Sequence, residues 1–335
     1  MEYTILDYCD KLDLCWRRSK TKNFLSISFS ASRRRGGGRR REKNARKFFG
    51  FCTRESASVS EARIIGRQGS IQNTFELRSI HTANVKNLIL LNKKEGETPL
   101  QALDKFRAKY KTYKDSKMTY AGRLDPMASG LLLILAGDQT KNKGKYLDMD
   151  KEYDFRALFG FATDTCDVLG KVINNYELSI TNYELKKQIK NNLKSFLGET
   201  TQRYPIYSSK TVKGKPLFMY ARAGEDVDIP KRKIVIKKLK LEKVEEMSNI
   251  KLFKDIEKRI KKVQGDFRQD EILKIWKEKL LSPQTMEEKS FIVSFKTKCS
   301  SGTYVRVIAN SLGIILGIPA LAFSIKRTKI GKYVI

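Results

Sequence analysis

Histidine is all but missing: His81 is the only one in 335 residues. A Ser-His-Asp triad, a Cys-His nucleophile pair and a His-ligated metal each need a histidine inside the folded part of a chain. His81 lies at the edge of a tail that reads as unfolded, so all three are excluded. Cysteine is also sparse. Cys9, Cys15, Cys52, Cys166 and Cys299 are odd in number and include no C-x-x-C pair. That argues for a reducing compartment and against a disulfide framework or a zinc knuckle. No G-x-x-x-x-G-K-[ST] phosphate loop occurs. The longest apolar run, Leu131 to Ala136, falls far short of the roughly 20 residues that span a bilayer, so the chain reads as soluble or peripheral. Carboxylates, Tyr, Lys, Arg and Cys remain to carry any chemistry.

Positive charge is abundant. The net charge is +31. Residues 1–80 hold 18 Lys and Arg against 8 Asp and Glu, and residues 81–335 hold 50 against 29. The excess is therefore a property of the folded part as well as the tail, which points to a polyanion partner, nucleic acid first.

Residues 1–84 differ from the rest. Arg33 to Arg41 reads RRRGGGRRR, and neither helical nor strand periodicity is sustained. The segment reads as a disordered basic extension. It could serve as an RNA-binding arm, as an organelle transit peptide, or as a stretch upstream of the true start. The third reading is favoured, although with no Met between Met1 and Met118 it requires a non-AUG start, for example near Val85. Four early acidic residues count against a transit peptide.

Order begins at Asn87. Leu88 to Leu91 suits a buried strand. Thr98-Pro99-Leu100-Gln101 has the chemistry of a capped helix start, with Leu100, Leu103, Phe106 and Tyr110 as its expected inward face. Tyr120 to Pro126 reads as a turn, followed by a strand from Leu131. Further strands are expected at Tyr153–Phe159, Pro230–Val244, Ile292–Lys298 and Ala320–Ile335. Helices are expected at Tyr183–Leu197 and Thr303–Leu316. Strands and helices mix without strict alternation, so the fold class is α+β. Residues 248–290 read as an inserted helical hairpin with a basic outer face, a structural spacer in preference to an RNA-contacting arm.

Asp125 sits in the turn Gly122-Arg123-Leu124-Asp125-Pro126. Gly122 permits unusual backbone angles and Pro126 holds Asp125 extended. Taken alone this is only a turn. However, the longer run from Tyr120 to Leu132 resembles the catalytic motif of the bacterial tRNA pseudouridine-55 synthase (TruB) family. Four more segments resemble that family's motifs in order: Asn92-Lys93 with Gly96; Lys151-Glu152-Tyr153 with Ala162 to Asp167; Tyr207 to Lys210 with Tyr220-Ala221-Arg222; and Cys299 to Arg306 with Leu312-Gly313.

The resemblance implies a pseudouridine synthase catalytic domain over 85–335, with a mixed or antiparallel central sheet flanked by helices. It implies isomerisation of uridine 55 in the tRNA T-loop, with no cofactor and no metal. Asp125 would be the catalytic carboxylate. Tyr153 would stack on the flipped base, and Arg306 would hold Asp125 ionised and aimed. Tyr304 would wall the pocket, Asp167 would touch the nucleotide, and Lys93 would support the catalytic loop or contact RNA. Ser209, Lys210 and Arg222 would grip the RNA loop, as donors and aromatics on one segment suit. Tyr120 stands where the family often has His, and Lys94 where it usually has Pro. The C-terminal PUA domain of many members has no counterpart here, which argues against guide-RNA dependence. A monomer in the cytoplasm acting on tRNA, or on other structured RNA, is expected. A ribosomal-RNA-type synthase and an RNA chaperone are the rival readings.

Overall fold

The computed structural model describes residues 62–64, 87–176 and 180–335. Its elements, in chain order, are β1 (Ala62–Ile64), β2 (Leu88–Lys93), α1 (Pro99–Lys109), β3 (Met118–Ala121), β4 (Ala128–Ala136), α2 (Lys143–Leu147), β5 (Lys151–Phe159), β6 (Phe161–Thr163), β7 (Val172–Asn175), α3 (Asn182–Asn192) and β8 (Gly198–Arg203). There follow β9 (Thr211–Val212), β10 (Lys215–Pro216), α4 (Leu217–Ala223), β11 (Lys231–Ser248), α5 (Asn249–Ile260), α6 (Gln269–Leu280), β12 (Lys289–Cys299), α7 (Val305–Leu316), β13 (Ala320–Ile330) and β14 (Tyr333–Val334).

A ten-stranded sheet runs β1-β2-β4-β13-β5-β12-β11-β8, with β3 on β4 and β14 on β13. Among the described residues its one parallel strand pair is β4 with β13, Ile325 opposite Ala128. The sheet is therefore mixed and the fold α+β. β4 is apolar on both faces because it is covered on both. Leu132 and Ile134 join α1 in one core, while Leu131, Leu133 and Leu135 pack on the other side. In β5, β12 and β13 the same period of two splits residues between two cores. Phe155, Val293 and Ala322 face α3 and α7, whereas Leu158, Ile292 and Phe323 face α5 and α6.

Thr98 caps α1 as its sequence indicates, with both halves of the capping box formed. Leu103 and Phe106 are buried as expected and Tyr110 packs against the same core, but Pro99 and Ala102 complete the inward face and Leu100 is 56% exposed. Tyr120 and Ala121 end a strand; the turn proper starts at Gly122. The expected 183–197 helix stops at Asn192 and tightens into a 3₁₀ turn, Leu193–Phe196.

The 248–290 stretch connects two strands that pair directly, Ser248 opposite Lys289. It does not behave as a spacer. Leu252, Ile256, Ile260, Ile272, Trp276 and Leu280 are fully buried against the sheet. At about 1.5–3 kcal/mol for each large apolar side chain, that burial makes the hairpin part of the core. The disorder expected for 1–84 falls outside the described residues, except at Ala62–Ile64, which pairs antiparallel with β2. Among the described residues, no helix is long and apolar enough to cross a membrane.

Candidate active site

β3 and β4 are joined by the loop 122–127. Gly122 takes φ +80°, and the Ala128 amide donates to the Asp125 carbonyl at 3.0 Å, closing a tight turn. Leu124 and Met127 are buried in the two different cores. The loop is thus pinned on both sides of Asp125, whose own side chain keeps 35% of its surface exposed to a cleft.

Arg306 lies in the first turn of α7, where the positive end of the helix dipole disfavours a cation. Its partners explain its presence. Nε donates to Asp125 Oδ2 at 2.8 Å, Nη1 to the Thr165 carbonyl at 2.6 Å and Nη2 to the Tyr207 carbonyl at 2.9 Å. Burial works against the charge, but Asp125 and Asp167 outweigh it and hold the guanidinium above its ordinary pKa. The Asp125 carboxylate is thereby kept paired and oriented. Losing Asp125 would leave the buried Arg306 guanidinium without its carboxylate, a cost that reaches about 3–5 kcal/mol in a fully buried pair and is reduced here by the exposure of Asp125.

Two further cations lie beneath the loop. Arg327, fully buried, donates from Nε to the Leu131 carbonyl at 2.7 Å, from Nη1 to that of Arg123 at 3.1 Å and from Nη2 to that of Gly122 at 3.3 Å. A Cβ on Gly130, at φ +102°, would lie 2.2 Å from the Arg327 carbonyl, so only glycine allows β4 and β13 this approach. Lys93 is also fully buried. Its ammonium donates to the carbonyls of Glu97 at 2.5 Å, Lys94 at 2.9 Å and Pro126 at 3.5 Å. Burial pulls its pKa down to about 8, against the opposing pull of Glu97 and Asp125. Lys93 is enclosed by protein under the loop, away from any surface that RNA could reach.

Tyr153 is on β5 opposite Arg327, and its hydroxyl is pushed up to about 12 by burial, with Arg327 pulling the other way. Asp167 is buried; its Oδ1 accepts from Thr165 Oγ1 at 2.8 Å and the Leu169 amide at 3.0 Å. Burial raises its carboxyl to about 6. Tyr304 precedes α7, bracketed by Gln202, which accepts from its amide at 2.8 Å and donates to its carbonyl at 3.2 Å. The Arg306 guanidinium sits 5.6 Å from the Tyr304 ring centre.

A cavity of 710 Å³ brings together Asp125, Tyr153, Arg306, Tyr304, Asp167 and Tyr120, with Ser209 and Arg222 on its wall. Lys93 and Lys210 do not line it; Lys210 instead sits 5.5 Å over the Tyr204 ring. Arg327 and Arg268 line the same cavity, and Gln202 holds the Tyr304 backbone; none of the three is among the residues expected from sequence. For Arg327 a signal existed: it shares the inward strand parity of Ile325, where a charged residue demands buried partners. Among the described residues, no group of His, Cys, Asp and Glu is placed to hold a metal ion.

The chain that builds this ion pair at the floor of an aromatic-walled cleft has relatives. Residues 109–265 match the TruB family pseudouridylate synthase N-terminal domain, and the chain belongs to that family, so it is an isomerase. The tRNA pseudouridine synthase B of Ligilactobacillus salivarius is 35% identical over 246 residues, 73% of this chain and 68% of that protein. The enzyme of the same name from Endomicrobium trichonymphae is 32% identical over 247 residues, 74% of this chain and 86% of that protein. That of Caldanaerobacter subterraneus is 30% identical over 250 residues, 75% and 70%.

Proposed function

We propose that this chain converts uridine 55 in the T-loop of tRNA to pseudouridine, with Asp125 as the catalytic carboxylate. The observation that carries the reading is the Arg306–Asp125 pair, 2.8 Å long, buried on the arginine side and open on the aspartate side. The names of the relatives, tRNA pseudouridine synthase B, supply the substrate class.

The reaction breaks the N1–C1′ bond, turns the base and joins C5 to C1′; C5 gives up a proton and N1 gains one, so atoms balance without a redox partner. The Asp125 carboxylate serves either path open to it, attack on carbon or removal of a ribose proton. To be reached, the uridine must leave its stack, at a cost of a few kcal/mol. Tyr153 then stacks on the base. Its raised hydroxyl pKa keeps it protonated, fit to donate a hydrogen bond to the flipped base. Tyr304 and Tyr120 wall the pocket, and Asp167 contacts the nucleotide. Ser209, Lys210 and Arg222 hold the RNA loop at the rim, and Lys93 holds the catalytic loop from below. The unit is residues 85–335, acting as a monomer in the cytoplasm, with tRNA as its partner.

The test is Asp125→Asn in the full chain, with pseudouridine mapped in tRNA and ribosomal RNA. Formation at position 55 should vanish while tRNA binding stays within a few-fold. Turnover retained by the variant, or modification confined to ribosomal RNA, would overturn the proposal.

A further inference from the structure

The turn of the α5–α6 hairpin reaches both segments that aim the Asp125–Arg306 pair. On one side it meets Gly96. A Cβ there would lie 2.8 Å from Lys262 Cβ and from the Lys262 carbonyl oxygen, and the Gln264 amide donates to the Gly96 carbonyl at 3.4 Å. The Gly96 amide in turn donates to the carbonyl of Pro126, the neighbour of Asp125, at 2.9 Å.

On the other side stands Arg268. It occupies φ +63°, a left-handed conformation that non-glycine residues disfavour. Such strain persists only where surrounding contacts enforce it. Those contacts are specific. Arg268 Nη1 donates to Asp164 Oδ2 at 2.7 Å and to the Tyr207 hydroxyl at 2.8 Å, and the guanidinium lies 4.4 Å from the Tyr207 ring centre. The Tyr207 carbonyl is the acceptor for Arg306 Nη2. Asp164 also accepts from the Lys171 amide at 2.9 Å, closing the turn that carries Thr165, whose carbonyl accepts from Arg306 Nη1. Both main-chain acceptors of Arg306 are therefore fixed by segments that Arg268 ties together. Arg268 lies just beyond the 109–265 stretch that matches the family.

We propose that Arg268 is a positioning residue for the Asp125–Arg306 pair, and that the hairpin turn is the strut that keeps the cleft wall in register with the catalytic loop. This rests on the function proposed above. A direct RNA contact is the competing role. It is disfavoured because the guanidinium is already committed to Asp164 and Tyr207, with 19% of the side chain exposed.

The test uses the full chain and an unmodified tRNA transcript, with single-turnover pseudouridine formation at saturating enzyme, tRNA binding measured separately, and all assays run well below the melting midpoint. Arg268→Ala should lower the single-turnover rate about 100-fold, the scale of loss expected from misplaced reacting groups, with binding within a few-fold. Arg268→Lys, which keeps the charge but not the planar fork, should recover only part of the rate. Tyr207→Phe removes the hydroxyl acceptor but keeps the carbonyl that Arg306 uses. It should lower the rate less, and the double variant should be no slower than Arg268→Ala alone. An unchanged rate, a loss confined to binding, or additive losses in the double variant would overturn the proposal. Asp125→Asn serves as the inactive reference. If the wild type makes no pseudouridine, the functional reading itself falls; if the wild type and Arg268→Ala are equally active, only this inference does.

Discussion

The floor of the cleft and its rim are held by different means. At the floor, Arg306, Arg327 and Lys93 are buried and bond to main-chain carbonyls across separations of up to 205 residues. At the rim, Lys215 pairs with Glu225 ten residues away, Arg222 pairs with Asp266 at 3.6 Å, and Lys213-Gly214 make a two-residue hairpin turn with both φ angles positive. Those rim pairs are partly exposed and each stabilises by about 0–1 kcal/mol. Breaking a buried pair costs several times more. The chemistry is thus proposed to sit on a fixed floor, while the RNA grip uses side chains that can exchange a carboxylate for a phosphate at little cost.

The hardest blow to this contrast would come from Arg327→Lys. A lysine keeps the charge but cannot span the three carbonyls of Leu131, Arg123 and Gly122. The turnover number should fall about 100-fold with tRNA affinity nearly unchanged; an equal loss in affinity would mean that floor and rim are not separable. A smaller effect is expected from Asp167→Asn, read in stability against pH. Burial raises the Asp167 carboxyl from 3.8 to about 6, so the folded state binds the proton more tightly than the unfolded one. The wild type should lose stability relative to the variant as pH rises from about 4 to about 6, by something on the order of 2 kcal/mol. Chemical denaturation of both proteins across that range measures it, and parallel curves would show that the carboxyl is not desolvated. The smallest effect belongs to the rim. Arg222→Ala and Lys210→Ala should each weaken tRNA binding a few-fold and reduce the salt slope by about 1, with the single-turnover rate unchanged. A drop in that rate would place these residues in the chemistry.

Much of this was legible in the sequence. The all-apolar run of β4, the Thr98 capping box and the apolar face of α7 follow from local rules and appear as expected. Four of the five motif segments resembling the family contribute residues to one cleft, and Lys93 of the other bonds to the catalytic loop at Pro126. What was hidden depends on packing between distant segments. Leu100 lines the cleft, while Ala102, Leu103 and Phe106 pack with Ile89 and Ile134 from two other strands. The hairpin's lysines suggested a solvated spacer, since an outer charge pattern says nothing of what the inner face covers. Arg259 and Arg268 have no local signal of their partners, because Glu95 and Asp164, which bind them, are each more than 100 residues away.

Arg327 also bears on how the protein is made. The loop that carries Asp125 is stitched in place by a side chain 205 positions downstream of Gly122, and Asp125 itself is gripped from 181 positions downstream. Contacts this far apart form late, because the intervening chain must first be closed into a loop. On the ribosome, the basic cleft segments near residues 93–125 emerge long before the residues that organise them. A nascent or truncated chain can therefore present positive charge to RNA while lacking an organised catalytic loop. The bonds that Arg327 makes to the carbonyls of Gly122, Arg123 and Leu131 can form only once residue 327 has been synthesised and folded back beside β4.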